Sequence, residues 1–274
     1  MVKTVIYTWT TNVNNMPETN SNNFWGLGDV LRGMISCYAI CKQNNYDYII
    51  DIQKHPISNF LKARSHKYSD YIKYYNNIPF ILGNNLNSYI KNHNEEIVVL
   101  MTNGSYPLDV NKVDETIKNI LSNIFTRNDT FNNYYLTKKN NLKLDENYII
   151  HHYRLGDGAF VRNNLNFNEV IKVYNKYIKD EKNIILVLSD NNELKEYIKK
   201  QESYNKNNII LNNIDKIAHI GYSKHKDILK DTLVEFFLVT ECKSIKTYSV
   251  YPWISGFVLY PSILYNIPLV NLKN

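Results

Sequence analysis

The stretch YIIHHYRLGD, residues 148 to 157, joins an apolar run to an arginine and a glycine turn near the middle of the chain. The run Tyr148 to His152 is typical of a buried strand in a parallel sheet. Arg154 should therefore emerge at the carboxyl edge of that sheet, where open α/β sheets bind their ligands. Its guanidinium suits a bidentate grip on phosphate or carboxylate, and Gly156 allows a tight turn. A purely structural ion pair between Arg154 and Asp157 is the alternative interpretation.

Strands and helices alternate from this stretch to the end of the chain, which is typical of α/β folds. The apolar spacing predicts strands over Tyr148 to His152, Asn183 to Leu188, Ile209 to Leu211, Ile217 to Ile220, Ser244 to Tyr248 and Pro268 to Val270. It predicts helices over Phe167 to Ile178, Asn192 to Lys200, Asp227 to Cys242 and Ile254 to Tyr265.

The N-terminal half shows the same alternation. A first strand, a glycine-containing loop, a helix and a second strand form a βαβ unit. The predicted elements are strands Val2 to Trp9, Tyr46 to Ile52 and Ile97 to Met101, a helix from Val30 to Cys41 and a helix from Val113 to Phe125, with polar helical segments between His55 and Lys91. The polar stretch Arg127 to Glu146 is interpreted as a linker. We therefore predict two Rossmann-like domains, residues 1–140 and 141–274, facing a central cleft.

Composition places the chain among ordinary globular proteins. It has 274 residues, 44% of them hydrophobic and 21% charged, with a formal net charge of +6. A mildly basic chain fits a polyanionic or nucleotide ligand, but the basic residues are spread along the sequence, so a solvated lysine surface explains them better. Three cysteines lack disulfide or zinc spacing, which favours a reducing compartment. No stretch is long and apolar enough for a signal peptide or transmembrane segment. We therefore expect a cytoplasmic protein.

Two glycines lie at the start of the first predicted long helix, and an arginine follows them within that helix. Backbone N–H groups around Gly26 and Gly28 could hold an anion or sugar hydroxyls at the helix N-terminus. Arg32 follows one turn later in an otherwise apolar stretch, and Asp29 is placed as an N-cap. A packing role for the glycines is the alternative. Their spacing to Gly33 does not match the dinucleotide fingerprint, and no P-loop lysine follows.

Hydroxyl-bearing residues recur at predicted strand ends in the C-terminal half. Ser189 and Asp190 follow one strand and suit either a ribose or base contact or a helix cap. Thr247, Tyr248 and Ser249, then Ser255 and Gly256 at a helix start, offer hydroxyl and N–H donors to a pyrophosphate, with helix capping as the alternative. The histidines show no metal spacing and no Asp-x-Asp pair occurs, so no metal site is predicted. Neither a nucleophile elbow nor a Cys/His pair indicates a hydrolase.

The order of these motifs resembles the fucosyltransferase superfamily of GT-B architecture, which includes the α1,2-, α1,6- and protein O-fucosyltransferases. A Gly-x-Gly loop is followed by His-x-Arg-x-Gly-Asp, a Ser-Asp strand end, a long helix ending in cysteine, a Ser/Thr-rich strand and Ser-Gly-Phe. The resemblance is strongest at residues 152 to 157 and thin between about 55 and 147.

This resemblance implies an inverting, metal-independent transfer from a GDP-sugar bound by the C-terminal half, with the acceptor on the N-terminal half. It implies that Arg154 holds the β-phosphate and that His152 lies near the guanine or ribose. Glu235 stands where the family has an aspartate that contacts guanine. The predicted donor-binding residues are His152, Gly156, Asp157, Asp190, Glu235, Thr247, Tyr248, Ser249, Ser255 and Gly256, with Arg154 and Asp29 as catalytic residues and Gly26, Gly28 and Arg32 in the cleft loop.

Two departures from the family concern the acceptor side of the reaction. Asp29 stands where the family often has asparagine, and Arg162 stands near the place of an acidic base found in some members. Asp29 is our candidate base because it lies at the presumed cleft, and an N-cap role is the alternative.

The expected function is transfer of fucose or a related deoxysugar from a GDP-sugar to a glycan or other hydroxyl acceptor. No cofactor beyond the GDP-sugar co-substrate is expected. A non-catalytic nucleotide- or glycan-binding protein of the same fold is the alternative, and a nucleic-acid binder is a distant third. Turnover of the donor distinguishes the transferase from the binding protein, because a binding protein would retain affinity for GDP without turning over the GDP-sugar.

Overall fold

A computed structural model of the chain describes residues 2–9, 26–63, 78–104, 109, 112–156, 165–178, 181–201, 204, 209–212 and 226–273. The chain divides into two compact units, which we describe separately. The N-terminal unit comprises Met1–Asn133 and Ala218–Lys230, and the C-terminal unit comprises Tyr134–Ile217 and Asp231–Asn274.

The N-terminal unit is built on a three-stranded parallel sheet in the order β2-β1-β3. Its strands are β1 (Thr4–Thr8), β2 (Asp47–Asp51) and β3 (Ile97–Leu100), and its helices are α1 (Leu27–Asn44), α2 (Leu86–Asn92) and α3 (Glu115–Ile124), with a 3-10 turn at Pro56–Phe60. The region between His55 and Lys91, predicted as polar helices, thus contains two 3-10 turns, at Pro56–Phe60 and Gly83–Asn85, and one short helix among its described residues.

Helix α1 begins at the glycine loop and packs closely beside the end of β3. Gly26 occupies the N-cap without a side-chain hydrogen bond. The predicted N-cap role of Asp29 is therefore wrong, because Asp29 lies inside the first turn. A Cβ on Gly33 would stand 1.9 Å from the carbonyl oxygen of Thr102. Only glycine allows this approach of helix and backbone, which explains Gly33 without any ligand.

The C-terminal unit has a five-stranded parallel sheet in the order β6-β5-β4-β7-β8. Its strands are β4 (Ile149–Arg154), β5 (Ile185–Ser189), β6 (Ile209–Leu211), β7 (Ile245–Ser249) and β8 (Leu269–Asn271). Counted along the unit, this is the 3-2-1-4-5 order of doubly wound nucleotide-binding sheets, whose order reverses between β4 and β7. Ligands of such sheets bind at the carboxyl ends of the strands at that reversal.

The helices of the C-terminal unit, including one that begins in the N-terminal unit, have bounds close to the predicted ones. They are α5 (Phe167–Ile178), α6 (Asn192–Lys199), α7 (Lys226–Thr240) and α8 (Gly256–Leu264). Tyr153, Val170 and Tyr174 belong to an apolar core between α5 and one face of the sheet. The strand predicted over Ile217 to Ile220 lies outside the described residues.

The stretch interpreted as a polar linker contains a helix instead, α4 (Asp129–Asn141). Asn128 caps its start, since its side-chain oxygen accepts a hydrogen bond from the Phe131 backbone N–H at 2.9 Å. Phe131 and Tyr135 are both buried and lie one turn apart. These two buried positions among many Asn and Lys residues give the helix little apolar periodicity, which is why the stretch resembles a linker in the sequence.

None of the helices in the described part of the chain is long and apolar enough to cross a membrane. The three cysteines are buried and unpaired with one another.

Candidate functional site

The carboxyl end of β4 brings Arg154 to the reversal of strand order. The register pairs Arg154 with Ser249 of β7, and the Val250 N–H donates to the Arg154 carbonyl oxygen at 3.0 Å. The parallel alignment therefore places both residues at the same edge of the sheet. Arg154 therefore lies where the sequence predicted it, at the edge of the sheet where doubly wound folds bind their ligands.

Asp190, at the end of the neighbouring β5, holds Arg154 and the turn after it. Its carboxylate forms an ion pair with the Arg154 guanidinium. The same carboxylate accepts the backbone N–H groups of Leu155 at 2.8 Å and Gly156 at 3.1 Å. Gly156 has φ 91°, a conformation that favours glycine. Asp190 therefore orients both the arginine and its loop.

These contacts alter two sequence interpretations. The predicted capping role of Ser189 and Asp190 is wrong, because Asn191 caps α6 by accepting the Leu194 N–H at 2.9 Å. The alternative partner of Arg154, Asp157, lies outside the described residues. The ribose or base contact by Asp190 stays a prediction, and it must compete with three donors that already occupy its oxygens.

His152 lies two residues before Arg154 and is buried. Its Nδ1 is 3.0 Å from the Thr247 hydroxyl, and its ring stacks near Phe257 with centroids 6.3 Å apart. Burial lowers the pKa of His152 to about 4. The imidazole is therefore neutral at physiological pH and acts as a polar anchor between β4 and β7 rather than as a cation.

Glu235, on α7, is a buried carboxyl beside the end of β6. The Asn212 side-chain amide donates to Glu235 Oε1 at 3.1 Å. Burial raises the pKa of Glu235 to about 7, although the positive charge of Lys195 acts in the opposite direction. A carboxyl that titrates near neutral pH within a buried polar cluster is a candidate ligand contact. Sequence reasoning found Glu235 but missed Asn212 and Lys195, which lie far from it in the chain.

The hydroxyl-rich end of β7 presents its side chains to two opposite faces of the sheet. Thr247 and Ser249 are in register with His152 and Arg154. Tyr248 belongs to the apolar core on the opposite face, and its hydroxyl lies 3.4 Å from Glu169 Oε1. The Tyr248 side chain is therefore removed from the predicted donor-binding set, because successive side chains of a strand point to opposite faces.

The start of α8 keeps its hydroxyl available. Ser255 occupies the N-cap position but makes no side-chain cap hydrogen bond, and Gly256 is the first helical residue. The capping alternative for the Ser255 side chain is therefore wrong. A helix N-terminus presents backbone N–H groups and a partial positive charge to an anion.

Two stacked aromatic residues, of which one lies beside Arg154, were missed by the sequence analysis. The guanidinium carbon of Arg154 lies 5.9 Å from the Tyr251 ring centroid. The Tyr251 ring in turn stacks on Trp253 with centroids 5.3 Å apart. They lie in an irregular loop, where no pattern in the sequence distinguishes them from ordinary loop residues.

The predicted loop residues of the N-terminal unit also form a polar group. Arg32 donates from Nη2 to Asp29 Oδ1 at 2.8 Å and from Nε to the Asn103 carbonyl oxygen at 2.7 Å. Gly26 and Gly28 lie at the start of the same helix. The Asp29 carboxylate is therefore already ion-paired, which bears on its proposed role as a base. In the part of the chain that the structure describes, no group of three or more His, Cys, Asp or Glu residues could hold a metal ion.

The buried histidines and Glu235 predict how stability depends on pH. His151 is fully buried and burial lowers its pKa to about 3, just as the pKa of His152 falls to about 4. Between pH 6.5 and 4.5 the unfolded chain therefore binds up to two more protons at these histidines. The folded chain binds one more at Glu235, whose pKa is raised to about 7. The net difference is about one proton, so we expect the free energy of unfolding to fall by about 1.4 kcal/mol per pH unit below 6.5.

Urea denaturation between pH 4.5 and 7 measures this slope. Replacing His151 with leucine removes one titrating group, and the slope should then fall close to zero. An unchanged slope in the His151→Leu protein would contradict the assignment of this proton to His151.

The fold and this site first define a class of protein, an α/β protein of two units that each contain a parallel sheet, with an arginine at the carboxyl edge of the second sheet. No family model and no curated protein sequence matches the chain. Solved structures do match it. The α-1,6-fucosyltransferase NodZ co-crystallised with GDP superposes with a TM-score of 0.57 and 13% identity, covering 99% of this chain and 95% of that one.

Two further NodZ structures agree. NodZ soaked with GDP-fucose gives a TM-score of 0.59 at 12% identity, covering 99% and 95% of the two chains. The selenomethionine form from Bradyrhizobium gives 0.59 at 13%, covering 99% and 94%. The predicted GT-B fold is confirmed by this likeness.

Proposed function

We propose that the protein is an inverting, metal-independent glycosyltransferase that moves fucose or a related deoxysugar from a GDP-sugar to a glycan or other hydroxyl acceptor. The observation that carries this proposal is Arg154, held by Asp190 at the carboxyl end of β4 where the strand order reverses. The likeness to GDP- and GDP-fucose-bound NodZ supports the choice of donor.

The donor would bind to the C-terminal unit. The diphosphate would contact Arg154, with Ser249 and the N-terminus of α8 at Ser255 and Gly256 supplying further donors. The nucleoside would extend toward Glu235, whose carboxyl can accept from or donate to a base depending on its protonation. Direct readout of guanine by a carboxylate uses the N1–H and N2–H groups that only guanine presents together, which favours GDP over other nucleotides.

Chemistry at the anomeric carbon explains why an arginine serves here. As the glycosidic bond to phosphate breaks, positive charge develops on the sugar and negative charge on the departing diphosphate. The Arg154 guanidinium gains more from that developing charge than from the intact donor, so it stabilises the transition state selectively. Because the Asp190 carboxylate already holds the arginine and accepts two backbone N–H groups of the loop after it, little reorganisation is needed during the reaction.

The acceptor would bind to the N-terminal unit, where Asp29 is the candidate base. Proton transfer from the acceptor hydroxyl to a positioned carboxylate accompanies attack on the anomeric carbon. The ion pair with Arg32 already engages one oxygen of this carboxylate. This contact is the observation that favours the second candidate function, a nucleotide- or glycan-binding protein of the same fold that does not catalyse transfer.

A thermal-shift comparison of GDP, UDP, CDP and dTDP tests the nucleotide assignment. A ligand that binds only the folded state raises the free energy of unfolding, by about 2.7 kcal/mol when the ligand is at 100 times its dissociation constant. The melting temperature rises as a consequence. We expect GDP to raise the melting temperature by several degrees more than the other three at equal concentration. An equal response to all four would contradict the guanine assignment. Release of GDP from GDP-fucose, measured next, separates the enzyme from the binding protein.

A further inference from the structure

The aromatic pair after β7 combines exposure with a fixed position. Trp253 is 64% exposed, although it is a large apolar side chain. Its ring lies nearly parallel to that of Tyr251, with an interplanar angle of 15° and centroids 5.3 Å apart. An exposed indole held flat on a second ring offers a broad apolar face to solvent.

Two hydrogen bonds to the backbone of Tyr251 hold the loop that carries these rings. The Tyr251 N–H donates to the Ser249 hydroxyl at 3.2 Å, and its carbonyl oxygen accepts from Lys273 Nζ at 2.8 Å. On the site side, the Arg154 guanidinium lies 5.9 Å from the Tyr251 ring centroid. The stacked pair is therefore built onto the same strand ends as the arginine, and binding to it would require little ordering of the loop.

The sheet order says which part of a donor would reach the aromatic pair. Asn212 and Glu235 lie toward β6, on one side of Arg154, while Trp253 follows β7 on the other side. A nucleotide-sugar carries its nucleoside and its sugar on opposite ends of the diphosphate. If Arg154 holds the diphosphate and Glu235 the base, the sugar extends toward the β7 side and Trp253.

We propose that Tyr251 and Trp253 form a carbohydrate platform, on which the apolar C–H face of the donor sugar stacks. The proposal rests on the function proposed above and deepens it, because it names the residue that distinguishes the sugar-bearing donor from the bare nucleotide. A 6-deoxysugar fits this platform well, since its methyl group enlarges the apolar face that meets the indole.

The test compares two ligands on three proteins. Dissociation constants for GDP and GDP-fucose are measured by calorimetry on the wild type, Trp253→Ala and Trp253→Phe. We expect Trp253→Ala to weaken GDP-fucose about tenfold and to change GDP less than about twofold. Trp253→Phe keeps a flat ring and should restore most of the affinity. Because Trp253 is exposed, both variants should fold, and their melting temperatures check this.

Each other outcome overturns the platform in a different way. Equal weakening of GDP and GDP-fucose would mean that the nucleobase stacks on Trp253. Unchanged affinity for both ligands in Trp253→Ala would mean that the ring pair takes no part in donor binding. Failure of the wild type to bind GDP at all would overturn the proposed function itself and the platform with it.

Discussion

Replacing Arg154 with alanine is expected to lower the rate of sugar transfer from GDP-fucose by about 10²–10³. The reason is that the guanidinium meets negative charge that grows as GDP departs, so its loss falls on kcat more than on ground-state binding. Arg154→Lys should recover only part of the rate, because a point charge replaces a planar fork that matches two phosphate oxygens. GDP release from GDP-fucose, followed at saturating concentrations of the donor and of a hydroxyl acceptor, measures kcat for transfer.

The matched control for this prediction is Lys176→Ala. Lys176 is exposed in the last turn of α5, so its removal changes the net charge by the same amount without touching the strand ends. We expect this variant to retain full activity. The Arg154→Ala protein should also remain folded, since Asp190 keeps the N–H groups of Leu155 and Gly156. Full transferase activity in Arg154→Ala would show that the proposed mechanism is wrong.

The course of the C-terminal sheet was predictable because each of its strands is a short apolar run between polar segments. The helix predicted over Phe167 to Ile178 has the bounds found for α5. Strand β4 continues two residues beyond the predicted end, to Arg154. Parallel strands buried on both faces carry a strong local pattern, so their existence and order can be read from sequence.

The partner of Arg154 was not predictable in the same way. The sequence offers Asp157 three positions away, whereas the structure supplies Asp190 from another strand. The choice depends on strand register, which pairs Tyr153 with Ser189 and so brings the next residues of β4 and β5 together. Register is a property of the folded sheet, set by the packing of side chains far from the site.

The aromatic pair and helix α4 were missed for a different reason. Tyr251 and Trp253 lie in a loop without periodicity, so no pattern distinguished them from ordinary loop residues. Helix α4 has few apolar positions, and its polar composition resembles that of a linker. In both cases the deciding contacts are long-range ones, such as the hydrogen bond of 2.5 Å from the Tyr135 hydroxyl to Glu241 Oε2.

Replacing Asp190 with asparagine is expected to reduce transfer by about 10-fold to 10²-fold, somewhat less than the loss of one direct transition-state donor. The asparagine oxygen can still accept one backbone N–H of the turn. Its amide group, however, is a donor and cannot pair with the Arg154 guanidinium. The arginine then loses its fixed orientation while remaining charged. We therefore expect kcat to fall more than the affinity for GDP, with a small change in melting temperature.

A double-mutant cycle separates this positioning role from the ribose or base contact that the sequence suggested for Asp190. If Asp190 acts through Arg154, then Asp190→Asn has no further effect on kcat once Arg154 is alanine, and the two changes are strongly non-additive. If Asp190 binds the nucleoside, the double variant loses GDP affinity beyond Arg154→Ala alone, and the effects add. Additive losses would contradict positioning. The three hydrogen-bond donors already on the Asp190 carboxylate, one from Arg154 and two from the turn, are why we expect non-additivity.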